Sequence, residues 1–162
     1  MKCRADITDK LPTHSISQYR TRPLTGIDAI VIHHSATQTG DPWTFARHHI
    51  SRGHPGIAYH EVIMPDGMRY KTNHDSTVSW HTQNFNESSI GICLVGNFSE
   101  GVPTPAQRRA LADSLILYGS SYRIRPQRLY GHREQFGTQC PGNNVSMEDI
   151  RGMYRFLTLA LT

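Results

Sequence analysis

Between Ile27 and His34 every residue except Asp28 and the two closing histidines is apolar, three of the four residues from Ala29 to Ile32 are β-branched, and Ser35 ends the run. A segment this short and this continuously apolar reads as a strand covered on both faces, not as one that alternates between core and water. Such a strand needs other strands beside it and helices above and below, which directs the chain to a layered arrangement of helices on a sheet. No apolar run is longer than the four residues of Ala29–Ile32, far short of the roughly 20 residues of a membrane-spanning helix.

The rest of the chain supplies the other layers. Asp41-Pro42 gives an N-cap and a proline at the first helical position, and Gly53 a stop, so a helix is expected over 42–52. Pro65-Asp66-Gly67 joins two strands at about 57–64 and 68–71, and Ile90–Val95 reads as a further strand. Thr104-Pro105-Ala106-Gln107 is a capping box, followed by Leu111, Leu115, Tyr118 and Tyr122 at helical spacing. Leu129-Tyr130 suits a short strand before a loop of about 131–145. Ser146, Glu148 and Asp149 open a last helix with Ile150, Met153, Leu157 and Leu161 on its apolar face. Residues 1–24, polar and holding Pro12 and Pro23, read as an extended surface arm. The expectation is an arm over 1–24 and one α/β (α+β) domain over 25–162, with a central mixed sheet flanked by about three helices.

A chain of 162 residues has the size of one compact domain and buries roughly two-thirds of its unfolded surface without staples. Hydrophobic residues at 37% and charged residues at 19% exclude a disordered or coiled-coil chain. The formal charge is +4 with ten histidines, but no Lys/Arg run follows a phosphate backbone, so nucleic acid is not expected as the partner. Cys3, Cys93 and Cys140 are odd in number and widely spaced, which argues against a disulfide framework. Cys93, inside an apolar strand, reads as an inert core thiol and Cys3 as free. Met1–Asp6 reaches no apolar leader core, so synthesis for the cytoplasm, or export by a route other than a cleaved leader, is expected.

Histidine is the compositional outlier. His132 and Cys140 are separated by seven residues in a loop with glycines at both ends, so one imidazole and one thiolate can converge on an ion. A third donor stands at the end of the first buried strand, in His33-His34. Two His and one Cys leave a fourth tetrahedral position open, as in a catalytic zinc site. Spacing alone leaves the alternative standing: a buried Cys acting as a small hydrophobe and histidines satisfied as core groups. His48 and His49 are adjacent and face different ways on a helix, so they do not make the helical zinc-protease pair.

Five segments in order carry a resemblance: Val31-Ile-His-His-Ser-Ala-Thr37, Ala58-Tyr59-His60, Asn86 through Gly96, Thr104 through Gln107, and Gly131-His132 through Cys140-Pro141. Together they resemble the type 2 N-acetylmuramoyl-L-alanine amidases, a family that includes zinc lysozymes of T7-like phages and the peptidoglycan recognition proteins. The match runs from about residue 27 to 155. It implies His33, His132 and Cys140 as ligands of Zn2+, with His34 beside the substrate because neighbouring strand residues face opposite ways. It implies Tyr59 as a hydrogen-bond donor to a developing oxyanion, Thr138 in a similar but weaker role where members carry either Lys or Thr, and His81 and Asn86 near the substrate cleft. His49 falls to packing or support. Ala58 in place of a common glycine and His54 in place of a common aromatic residue depart from the pattern and affect the shape of the cleft.

The resemblance therefore implies a monomeric zinc hydrolase that cleaves the bond between the N-acetylmuramic acid lactyl group and L-alanine of bacterial peptidoglycan. The setting is a phage or prophage endolysin reaching the wall with the help of a holin. Two other readings go with it: a non-catalytic peptidoglycan receptor on the same fold, and an amidase that recycles soluble muropeptides.

Overall fold

The computed structural model describes residues 4–160; Cys3 and Leu161 lie outside the described residues. The chain forms β1 (Arg4–Asp6), β2 (Arg20–Thr21), β3 (Ala29–His34), α1 (Pro42–Ser51), β4 (Glu61–Ile63) and β5 (Arg69–Lys71). It continues through β6 (Thr77–Val78), β7 (Ser89–Leu94), α2 (Pro105–Tyr122), β8 (Leu129–Gly131) and α3 (Met147–Leu159). Six strands make one mixed sheet in the order β1-β5-β4-β7-β3-β8, with β4 and β5 antiparallel and the other neighbours parallel. β2 and β6 form a separate antiparallel pair. No helix is long and apolar enough to cross a membrane among the described residues.

β3 and β7 are buried at every residue, as a central strand between two helical layers must be. Ile30, Ile32, Ile90, Ile92 and Leu94 face the larger core, where Leu111, Leu115 and Tyr118 of α2 and Ile150 and Tyr154 of α3 cover them. On the opposite face Phe45 and Ala46 of α1 pack over Val62, Cys93 and Val95. Side chains alternate along a strand, so His33, next to Ile32, lies on the α1 side.

The helix ends follow their capping residues. Asp41 accepts from the Thr44 amide at 2.8 Å at the start of α1. Thr104 and Gln107 exchange both bonds of the capping box, and Ser146 accepts from the Asp149 amide. Gly53, with φ of +86°, turns the chain after α1 where a side chain would be strained.

Two expectations are corrected. The strand expected from about residue 57 begins at Glu61, because the carbonyls of Ile57 and Tyr59 are taken by the Asn73 amide group and not by a ladder. Residues 1–24 are not simply an arm over the surface. β1 pairs in parallel with β5 as the edge of the main sheet, Ile7 is buried, and the Arg4 guanidinium reaches the buried Glu61 carboxylate at 2.7 Å. The parallel strands β3, β7 and β8 all end at one edge, the place where sheets of this kind carry their sites.

Candidate metal centre

Register brings the first two histidines together. Ile32 of β3 lies opposite Gly131 of β8, so His33 on β3 and His132, just past the end of β8, emerge beside each other with ring centroids 4.6 Å apart. The loop after β8 is then pinned so that it turns back. The Arg133 amide donates to the Cys140 carbonyl at 2.7 Å, and the Arg133 guanidinium donates to the carbonyls of Gly142 and Val145. Glu134 accepts from the Gly131 amide and pairs with Arg151. These bonds place Cys140 Sγ 3.6 Å from His33 Nδ1, where it also accepts from the His34 amide at 3.4 Å.

One donor atom from each of His33, His132 and Cys140 lies within 4.8 Å of the others. Two imidazole nitrogens and one sulfur so placed fit a tetrahedral zinc ion with one position left for another ligand. Burial alone favours the neutral forms. It pushes the Cys140 thiol up to about 12, lowers His132 to about 4, and holds His33 well below the ordinary histidine range, with His81 adding to the last effect. A divalent cation at this point is what brings the thiolate within reach at neutral pH.

Tyr59 stands on the α1 side, half-buried, with its ring centroid 5.3 Å from that of His33. Its backbone is fixed by Thr72 and Asn73, which both donate to the Tyr59 carbonyl. Burial and the nearby Cys93 push the phenol well above its usual range, so it stays a proton donor. The Thr138 hydroxyl oxygen accepts from the Cys140 amide at 3.2 Å and lines the same cleft.

Of His34, His81 and Asn86, expected around the substrate, the first two line the cleft and the third does not. His34 lines the cleft, but its Nδ1 accepts from the Phe98 amide at 3.1 Å. His81, nearly fully buried, also lines the cleft, its Nδ1 3.0 Å from His33 Nε2. Asn86 is not brought to the cleft: its side-chain oxygen accepts from the Thr82 amide at 2.7 Å and closes the turn below His81.

Three further residues bear on the site. Cys93, fully buried, belongs to the apolar cluster against which Tyr59 packs. His49 Nδ1 accepts from the Ala58 amide at 3.0 Å and its ring meets that of Tyr59 edge-on, so it holds the backbone just before the tyrosine. Trp80, 44% exposed, forms a wall of the open cleft of about 520 Å³ and packs against His54. His49 was expected in such a supporting role and Cys93 as a core thiol, while Trp80 was signalled only by its place beside His81 in the sequence.

Residues 21–143 match the model of a family described as N-acetylmuramoyl-L-alanine amidase. The endolysin of Escherichia phage T7 is 30% identical over 132 residues, which cover 76% of this chain and 85% of that protein. Peptidoglycan-recognition protein LB of Drosophila melanogaster is 33% identical over 103 residues, 62% of this chain and 44% of that protein. The chain spans about half the length of such curated relatives. Among solved structures, N-acetylmuramoyl-L-alanine amidase LysC from Clostridium intestinale URNW has a TM-score of 0.82 at 26% identity, with 96% of this chain and 99% of that chain covered. The Ph2119 endolysin from the Thermus scotoductus MAT2119 bacteriophage has a TM-score of 0.78 at 27% identity, covering 94% and 99%.

Proposed function

The chain belongs to the N-acetylmuramoyl-L-alanine amidase family, and from that premise we propose that it hydrolyses the amide between the lactyl group of N-acetylmuramic acid and the first alanine of the stem peptide. The observation that carries this reading is the convergence of His33, His132 and Cys140 within 4.8 Å at the floor of an open cleft. These three side chains would hold zinc, which supplies a Lewis acid and lowers the pKa of water. The Tyr59 hydroxyl, kept protonated by burial, donates to the oxyanion that forms at the scissile carbonyl. Thr138, which lines the same cleft, adds a second, neutral donor. Cys93 and His49 keep Tyr59 in place from below and from the side.

The T7 relative, matched over 85% of its length, is an endolysin, and that likeness supports a role in lysis of a bacterial host. In that setting the protein is made in the host cytoplasm, reaches the wall through a partner holin, and works as a monomer. The peptidoglycan-recognition relatives favour a second reading, a binder that does not cleave. A pure binder has no need of the thiol that completes the donor set, which favours the enzyme.

The deciding experiment is mass spectrometry of fragments released from purified cell walls by the zinc-loaded protein. Stem peptides with a new amino-terminal alanine are expected. Scission within the glycan or between peptide residues, or binding without release, overturns the assignment. Tyr59→Phe is expected to keep its zinc and lose roughly a hundredfold in turnover, the typical effect of one oxyanion donor. Cys140→Ser should lose zinc and turnover together, as read by metal content.

A further inference from the structure

We propose that a buried hydrogen-bond chain running from the Phe85 carbonyl through Ser89 and His81 fixes the tautomer of His33, so that its Nδ1 presents a lone pair to the metal cluster before any ion arrives. The inference rests on the metal reading above, but its first test does not require catalysis.

The direction of each bond follows from the end of the chain. A backbone carbonyl can only accept, and the Ser89 hydroxyl lies 2.6 Å from the Phe85 oxygen, so Ser89 commits its one proton there. What remains on Ser89 Oγ is acceptor capacity. His81 Nε2, 3.3 Å away, must therefore be the donor. His81 is buried, with the rings of His33 and His60 and the hydroxyls of Thr82 and Ser89 facing it, and burial with His60 and Arg22 nearby disfavours a second proton more than a backbone bond to Ser89 favours one. Its Nδ1 then carries a lone pair. That nitrogen faces His33 Nε2 at 3.0 Å, and two lone pairs do not face each other in a dry interior, so His33 Nε2 holds the proton. The single proton of neutral His33 is thereby placed at the back of the ring. Nδ1, 3.6 Å from Cys140 Sγ, is left free to coordinate.

The geometry that makes this work depends on Gly91 of β7. A side chain there would put its Cβ 2.5 Å from His81 Cγ, so the absence of one lets the His81 ring lie against the strand with both nitrogens aimed along the chain. Thr82 Oγ1, 3.1 Å from His81 Nδ1 and 3.4 Å from His33 Nε2, bridges the same pair. His81 and Ser89 are positioning residues: neither is in the donor set, and both act through His33.

Nitrogen-15 NMR of the imidazoles in metal-free protein reads the tautomer directly. Protonated Nε2 on both His33 and His81 is expected, and a His33 protonated on Nδ1 overturns the proposal even if the enzyme is fully active with zinc. Two variants add a second reading through zinc competition. His81→Asn places an oxygen near the position of Nδ1 and should hold zinc close to the parent level. His81→Phe keeps the ring and loses the acceptor, and should weaken zinc binding roughly 10- to 100-fold. If the ring matters only for packing, the order reverses, with Phe the better substitute, and the proposal fails. If His81→Phe does not fold, the tautomer of the parent protein and the zinc affinity of His81→Asn still decide the matter.

Discussion

Three side chains from distant parts of the chain meet because backbone bonds fix the place of each. His33 and His132 follow paired strand residues, and Cys140 is returned by the bonds of Arg133. Their types, the strand end that carries His33 and the loop that carries His132 and Cys140 were legible in the sequence. The directions of His81 and Asn86 were not, because they depend on contacts with Gly91 and Thr82 that no local pattern announces. Trp80 was legible only as a neighbour of His81, yet it is the large aromatic side chain that the cleft leaves half in water. An exposed indole beside a reaction centre offers a flat apolar face to a sugar or peptide substrate. Trp80→Ala is expected to raise KM about tenfold with little change in kcat, on the basis of roughly 1.4 kcal/mol for the lost contact. Steady-state rates on soluble muropeptides check it, and a fall in kcat at constant KM would place Trp80 in the chemistry instead.

At the scale of elements, the segments with local signals form as read and those without do not. α2 starts at its capping box and α1 at Asp41-Pro42, because caps act within four residues of the chain. β1 escaped notice: a three-residue strand with two charged side chains has no period, and what holds it is the pairing with β5 and the bond from Arg4 to Glu61. The α2 cap has a second task. Thr104 also donates to the Pro65 carbonyl at 2.6 Å, tying the turn between β4 and β5 to the start of the helix. Thr104→Ala therefore loses the cap and this tie together. A loss of about 1–2 kcal/mol follows, which for a chain of this size lowers the melting temperature by roughly 2–8 °C. Calorimetry should show that drop, and Thr104→Ser, which keeps both bonds, should restore most of it.

Across the whole molecule, buried charge and buried histidine tie stability to composition and to pH. Glu61 is fully buried and answers Arg4 and Arg69 at 2.7 and 3.0 Å, while Ser114 and Tyr118 of α2 donate to the same carboxylate. One carboxylate thus joins the N-terminal strand, the hairpin and the longest helix. Glu61→Ala leaves two guanidinium groups without their partner and should cost about 3–5 kcal/mol in urea unfolding. His60 is one of several buried histidines that set the acid side. Its Nδ1 accepts from the Gly91 amide at 3.0 Å, and burial, with Arg22 nearby, lowers it from 6.5 to about 3. In the unfolded chain the same ring takes a proton below about 6.5, so between that pH and about 3 the unfolded state binds the extra proton. Stability is therefore full above that window and falls with pH inside it, by about a factor of ten in the folding constant per pH unit for one group. His60→Asn, which keeps an acceptor for Gly91, should flatten the decline in urea midpoint between pH 6 and 4 even if it is less stable at pH 7. An unchanged slope would move the acid sensitivity to other groups.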